Sequence, residues 1–307
     1  MLPIHFAPLQ GHTDDVYRRT HHRLIGGIER YYTPFVRVEG GDVRSKDCRD
    51  IDPKNNVGTP VTPQIIFKNL KEFLFLIDKI EAQGYREVDL NMGCPFPLQA
   101  RHGRGAGLLT HPDVVASVAD AMKAHPQLAF SVKMRLGWDN AEEWRPVVEI
   151  LNDTPLTHIT LHPRTGTQGY KGCIDYDSFE QFYAVCRHPI IYNGELTSPA
   201  ELRHMEERYP QLAGLMIGRG LLARPSLAQE YIEGTEWSHE QHIHTLRMLH
   251  ETLKTEYANI VKGDIQLHNK LRSFWEYTEP VIGHKPYKKI MKSGNFRNYM
   301  NAIEELR

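Results

Sequence analysis

The chain has 307 residues, 40% of them hydrophobic and 24% charged, with a formal net charge of −1. That is enough for one large domain and a small one, or for two medium ones. A balance so close to neutral excludes a chain that binds nucleic acid through its overall charge, so any such contact must come from a local patch. No run of about 18 apolar residues is present, so no transmembrane helix is expected. The opening MLPIHFAPL lacks a basic stretch and a small-residue cleavage site and reads as a strand rather than a signal peptide, which points to the cytoplasm.

Eight β-type runs follow one another: 4–9, 30–38, 61–67, 87–93, 130–137, 158–164, 190–196 and 214–222. Helical patterns lie between several of them. Residues 70–84 carry apolar positions at helical spacing and end in Gly84; 112–125 begin with a Pro; 198–210 begin with Ser198 as N-cap and Pro199 at the first helical position. Strands alternating with helices imply a parallel sheet, and eight such units in about 230 residues point to a closed (β/α)8 TIM barrel. No strand–turn–helix carries GxGxxG, which weakens an open doubly wound sheet. From residue 237 the strand runs stop. Residues 239–263 and 265–281 read as helices, and between 262 and 297 eight Lys or Arg face three acids. The expected division is a barrel over 1–236 and a small, locally basic helical domain over 237–307.

Chemistry in such barrels sits at the C-terminal ends of the strands. There the runs deliver, in order, Pro8, Leu9 and Gln10; Gln64; Asn91 and Cys94; Lys133 and Arg135; His162 and Arg164; Asn193, Gly194 and Glu195; Gly218 and Arg219. Lys133 lies inside an apolar run, where a charge needs a partner. That partner is either a carboxylate within the barrel or an anionic ligand above it, which Lys133, His162 and Arg219 would share. His162 taken alone reads better as a satisfied core histidine than as a ligand. Glycines with an Arg after the last two strands match the phosphate site common in such barrels. Cys94 stands between a Gly and a Pro where the chain leaves the sheet, followed by a long Gly-rich loop that reads as flexible, whereas a packing cysteine would lie within the apolar run. Cys48, Cys173 and Cys186 carry no such context, and no CxxC spacing supports a metal site.

Taken together, APLQGHTD, NMGCP at 91–95, SVKMRLGWD at 131–139, HPRTGTQGY at 162–170, IYNGEL at 191–196 and MIGRGLL at 216–222 resemble the tRNA-dihydrouridine synthase family. The resemblance implies a flavin barrel with a helical appendage, FMN over the barrel, NADPH as reductant, and a uridine of tRNA as substrate. It implies Cys94 as the general acid that protonates C5 of the uracil. It places Pro8, Leu9, Gln10, Gln64, Lys133, His162, Asn193, Gly194, Glu195, Gly218 and Arg219 at the flavin, and Asn91 and Tyr170 at the uridine. PFVRVEG at 34–40 with RLGWD and QGY looks most like the bacterial subgroup acting at position 16, whose tRNA-orienting basic residues match Arg37, Lys270 and Arg272. Two other readings stand beside it. One is a dihydroorotate dehydrogenase-like flavin enzyme of a free small molecule, which would need no basic helical platform. The other is an RNA-binding protein without catalysis, against which an intact set of Cys94, Lys133 and Arg219 argues.

Overall fold

The computed structural model describes residues 1–306. Its main sheet is parallel throughout, and it closes because one strand is broken. The strands in chain order are β1 (Ile4–Phe6), β2 (Arg30–Tyr32), β3 (Val61–Thr62 and Gln64–Ile65, split at Pro63), β4 (Glu87–Met92), β5 (Ala129–Gly137), β6 (Leu156–Thr165), β7 (Ile190–Asn193) and β8 (Gly214–Ile217). The first half of β3 pairs with β2 and the second half with β4, at opposite ends of a nine-membered hydrogen-bonded order. Proline has no N–H to give a ladder, so the break falls at Pro63. Its carbonyl still accepts from Asp89 N at 2.9 Å, which holds the two halves as one strand and makes the barrel eight-stranded.

Helices α1 (Asp15–Leu24), α2 (Leu70–Ala82), α3 (Pro112–Lys123), α4 (Trp144–Asn152), α5 (Tyr176–Val185) and α6 (Pro199–Arg208) connect the strands, and α7 (Leu227–Glu233) follows β8. After β2 the helix is replaced by a short hairpin, 38–43, and one short helix, Ser45–Asp50. Ser198 caps α6 in a reciprocal capping box with Glu201. The expected strand 214–222 ends at Ile217. Gly218 turns the chain and Arg219–Ala223 forms a helical turn, packed so closely on the loop after β7 that a Cβ on Gly220 would stand 2.1 Å from the Leu196 carbonyl oxygen. Beyond Gly234 the chain is all helical: α8 (His239–Ala258), α9 (Gly263–Phe274), α10 (Glu279–Ile282), α11 (His284–Met291) and α12 (Phe296–Glu304).

Successive strand side chains point to opposite faces. One face, with Ile4, Phe6, Val88, Leu90, Met92, Val132, Met134 and Leu161, packs against the helices in one large apolar cluster. The other lines the barrel axis, where the apolar cluster shrinks to Ala7, Tyr32, Ile191 and Met216. Polar groups fill the rest of the axis in layers. Near the start of the strands His5 Nδ1 meets Tyr32 OH at 2.9 Å, and the same hydroxyl meets His158 Nε2 at 3.2 Å. The row of Gln64, Asp89 and Ser131 is set by strand register, Gln64 opposite Asp89 and Asp89 opposite Ser131.

Burial, with the neighbouring His158 and Arg30, pushes the His5 pKa down to about 3. An unfolded chain takes up a proton there near 6.5, so the stability His5 contributes is present above pH 6.5 and is lost on acidification toward 3. Asp50 and Asp89, raised to about 6 by burial, act with the opposite sign. In urea unfolding across pH 4–6.5, His5→Asn should therefore reduce the slope of stability against pH by about 1.4 kcal/mol per pH unit. An unchanged slope would show that His5 is protonated in the fold.

Candidate active site

β4 ends at Met92 and hands the chain to Gly93 and Cys94. Asn91 holds this exit: its Oδ1 accepts from Gly93 N at 3.1 Å and Cys94 N at 2.8 Å, while its Nδ2 donates to Gln64 Oε1 at 2.7 Å. The glycines that follow do not form an open loop. Ala106 N donates to Cys94 O at 3.1 Å, and residues 105–109 are buried. Gly105 has φ +58°, and a Cβ there would stand 2.7 Å from Cys94 Cβ. Glycine is required for this close approach rather than for motion. Burial pushes the Cys94 thiol up, against the Phe96 backbone N–H and the charges of Arg135 and Lys133, so it stays protonated at neutral pH.

Lys133 stands opposite Asn91 on β5. Burial, then the charge of Arg135, pushes its ammonium down to about 8, and Asp89 opposes the shift. No carboxylate ion-pairs with Lys133 among the described residues. Asp89 is instead hydrogen-bonded by Gln64 Nε2 at 2.7 Å and Ser131 Oγ at 2.6 Å. Lys133 is left as a cation that looks for an anion.

Arg135, two residues on, donates from Nε to Gly93 O at 3.0 Å and from Nη1 to Thr165 O at 2.9 Å. Its guanidinium lies 5.4 Å from the centre of the Tyr170 ring, and that of Arg219 lies 4.3 Å from the same ring. Tyr170 is 48% exposed, an aromatic face between two cations at the mouth. His162 is buried 6.2 Å from Tyr170, ring to ring. Burial and the charges of Arg135, Lys133, Arg164 and Arg219 keep it neutral, well below the ordinary histidine range. The fully buried Arg164 donates to Glu195 Oε1 at 2.7 Å and to Gly172 O at 2.6 Å, and Arg219 approaches the same carboxylate at 3.8 Å. The Glu195 side chain thus neutralises arginines. Asn193 Nδ2 donates to Met216 O at 2.7 Å, tying β7 to β8. A Cβ on Gly218 would touch Leu9 Cδ1 at 3.3 Å and Ala7 Cβ at 3.4 Å, so the ends of β1 and β8 adjoin. Gln10 Nε2 donates to Phe35 O at 3.1 Å beside Pro8 and Leu9.

The barrel mouth therefore gathers Cys94, Asn91, Gln64, Lys133, His162, Tyr170, Asn193, Gly194, Glu195, Gly218 and Arg219, with Pro8, Leu9 and Gln10 on the adjoining loop. The three basic residues matched to tRNA stand elsewhere. Arg37 pairs with Glu39 at 2.8 Å beside the hairpin. Lys270, on α9, pairs with Asp14 at 2.8 Å and lies 4.9 Å from the Tyr257 ring, at the seam between barrel and helices. Arg272 is in the last turn of α9, about 200° around the helix from Lys270. The patterns of single strands pass over Asp89 and Ser131. The alternation in EVDLNM carries a weak signal for Asp89, which shares its parity with Asn91.

The family model for dihydrouridine synthase (Dus) matches residues 5–307. The chain belongs to the dihydrouridine synthase family. Among curated relatives in the family, the probable tRNA-dihydrouridine synthase 1 of Synechocystis sp. is 33% identical over 230 residues, 73% of this chain and 62% of that protein. The tRNA-dihydrouridine(16) synthase of Pseudomonas syringae pv. tomato is 30% identical over 243 residues, 75% of this chain and 74% of that protein. That of Cupriavidus necator is 29% identical over 293 residues, 90% of this chain and 88% of that protein. Solved structures share the fold: the old yellow enzyme from Trypanosoma cruzi has a TM-score of 0.52 at 10% identity, covering 76% of this chain and 89% of that one. Histamine dehydrogenase from Rhizobium sp. 4-9 has a TM-score of 0.54 at 12% identity, covering 81% of this chain and 48% of that one.

Within this family member Arg135 ties the loop that carries Cys94 to the loop that carries Tyr170. Arg135→Met would leave two carbonyls without their donor, each worth about 1–3 kcal/mol when buried. Urea unfolding should show a loss of about 2–5 kcal/mol, and limited proteolysis should open the chain near 95–104 and 165–172. Stability within experimental error of wild type would remove Arg135 from this role.

Proposed function

We propose that this chain reduces the C5=C6 bond of a uridine in tRNA to 5,6-dihydrouridine. The observation that carries the reading is a protonated thiol, Cys94, held at a barrel mouth beside Lys133, a cation without a carboxylate partner. Family membership supports the substrate class, and the relatives named as tRNA-dihydrouridine(16) synthases support position 16 as the target.

The residues present fit a flavin mononucleotide. Lys133 lacks an acceptor that a reducible ring edge would provide, and Gln64 would line that edge with it. Gly218 and Arg219 open a helical turn near Glu195, with glycine at 218 where a Cβ would crowd Leu9 and Ala7. Pro8, Leu9, Gln10, His162, Asn193 and Glu195 complete the set that would hold it. FMN, when bound and reduced by NADPH, supplies hydride to C6 of the base.

The chain's own part is to present and protonate the uracil. The base must leave its stack to reach the barrel mouth, where Tyr170 offers an aromatic face. Cys94 gives its proton to C5: the S–H bond breaks, the C5–H bond forms, and the thiolate recovers a proton from water. A thiol pushed up by burial is the right form for that step. Lys133 stabilises negative charge at the ring edge it faces. In this proposal the helical segment 237–307 orients the tRNA by its basic residues. Lys270 braces that segment on Asp14 while Arg272 and Lys288 meet phosphates.

Cys94→Ala should keep its flavin absorption and its reduction by NADPH yet lose about 100- to 10,000-fold in dihydrouridine formation on tRNA. Turnover within about twofold of wild type would remove Cys94 from the mechanism. Lys133 gives a pH signature. It is charged below about 8 in the free protein and must take up a proton to bind an anionic ring edge above that. Affinity for reduced FMN, whose ring is anionic, should be flat from pH 6.5 to 8 and fall by up to about tenfold per unit above it, and Lys133→Gln should abolish the dependence. A flat titration to pH 9.5 in the wild type would place Lys133 away from the flavin.

A further inference from the structure

Asp89 is fully buried and lies in the barrel one layer below the mouth, where Gln64 and Asn91 separate it from Cys94. Its carboxylate, ionised at neutral pH, only accepts hydrogen bonds. Oδ1 accepts from Ser131 Oγ at 2.6 Å and Oδ2 from Gln64 Nε2 at 2.7 Å. This has a directional effect. A primary amide has one donating end and one accepting end. With its NH2 turned down to Asp89, Gln64 must turn its oxygen up, where it accepts from Asn91 Nδ2 at 2.7 Å. Asn91 must then turn its own oxygen outward, where it meets two backbone donors, Gly93 N–H and Cys94 N–H. The opposite orientation of either amide would set donor against donor at the strand exit.

We propose that Asp89 is a positioning residue that fixes the polarity of the Gln64–Asn91 amide pair and thereby holds the backbone of Cys94 at the barrel mouth; the functional part rests on Cys94 as the proton donor. The carboxylate acts through two side chains and touches neither the thiol nor the base. Its negative charge is not itself required for that polarity. An amide at position 89 keeps an oxygen for Gln64 and gives its NH2 to Ser131, whose hydroxyl accepts as well as donates. An apolar residue there leaves Gln64 free to turn over.

The test compares Asp89→Asn with Asp89→Leu in the flavin-loaded full chain, with two readouts. The first is the rate of Cys94 alkylation by iodoacetamide against pH, resolved by peptide mass spectrometry so that Cys48, Cys173 and Cys186 are scored apart. The second is the split between kcat and KM for tRNA. Asp89→Asn should match wild type in the alkylation profile, while kcat also reads the loss of the Asp89 charge near Lys133. Asp89→Leu should alkylate at Cys94 at least about tenfold faster at pH 7.5, with the profile moved toward the ordinary thiol range near about 8.5. Its kcat should fall about 10- to 100-fold with KM for tRNA changed less than threefold. Should Asp89→Leu fail to fold, Asp89→Asn combined with Ser131→Ala carries the same test. The new NH2 then has no hydroxyl to donate to and turns to Gln64, reversing both amides, so Cys94 should again become reactive. Ser131→Ala alone leaves Asp89 accepting from Gln64 and should match wild type. Alkylation profiles of Asp89→Leu and the double variant that overlay wild type would overturn the proposal, as would an Asp89→Asn that alkylates at Cys94 as fast as Asp89→Leu. A wild-type protein that makes no dihydrouridine while showing the predicted alkylation pattern would instead overturn the functional reading and leave the amide relay standing.

Discussion

A closed barrel allows no polar side chain on its axis to reach water through the wall. In this chain the axis carries an unusual load of such groups: His5, Tyr32, Gln64, Asp89, Asn91, Ser131, Lys133, Arg135, His162 and Arg164. Each hydrogen bond made there withdraws a group from chemistry, and the groups left over define the site. His5, Tyr32 and His158 satisfy one another near the strand starts. Asp89 is taken by Gln64 and Ser131, and Arg164 by Glu195 and a carbonyl. Lys133 remains an ammonium without a carboxylate, directly below the exit of the chain at Cys94. Burial of such a charge is costly, and the cost shows in the lowered Lys133 pKa.

The same economy of partners makes the mouth stiff. The segment around Cys94 is pinned by Asn91 from the strand, by Ala106 from beyond the loop and by Arg135 from the neighbouring strand. A backbone held from three sides fixes the point from which the Cys94 side chain projects. Tyr170 stays half-exposed, its ring within cation–π distance of Arg135 and Arg219.

The all-helical segment is joined to the barrel at the loop that leaves β1. Asp14 caps α1, accepts from Tyr257 OH at 2.7 Å and pairs with Lys270. His12, beside it, packs edge-on against Tyr277 at 5.1 Å. The loop that carries Pro8, Leu9 and Gln10 is therefore braced from the helical side, and Arg19 adds an ion pair to Glu256 at 2.6 Å. Contacts so close to the mouth place the helices where they extend the rim of the barrel rather than hang from it.

Local chemistry alone determined much of this protein. Eight runs with the right punctuation, a Pro at the start of α3, a Ser-Pro start for α6, and a cysteine between Gly and Pro at a strand tip are statements about nearest neighbours, and nearest neighbours are what a sequence displays. The same reasoning overran at 214–222, where apolar Leu221 and Leu222 continue a strand-like run. There the chain turns at Gly218 into a helix that packs Gly220 close against Leu196. It also left α1, α4 and α5 unassigned, because their apolar faces gain meaning only against the sheet they cover. It took the glycines after Cys94 for a flexible loop, when they are the thin residues of a tight packing. Asp89, and the partners of Glu195 and Lys270, were decided by tertiary structure. Which carboxylate meets which cation depends on the register between strands and on how one segment docks on another, and those distances are set by the closure of the barrel, not by any single stretch of chain.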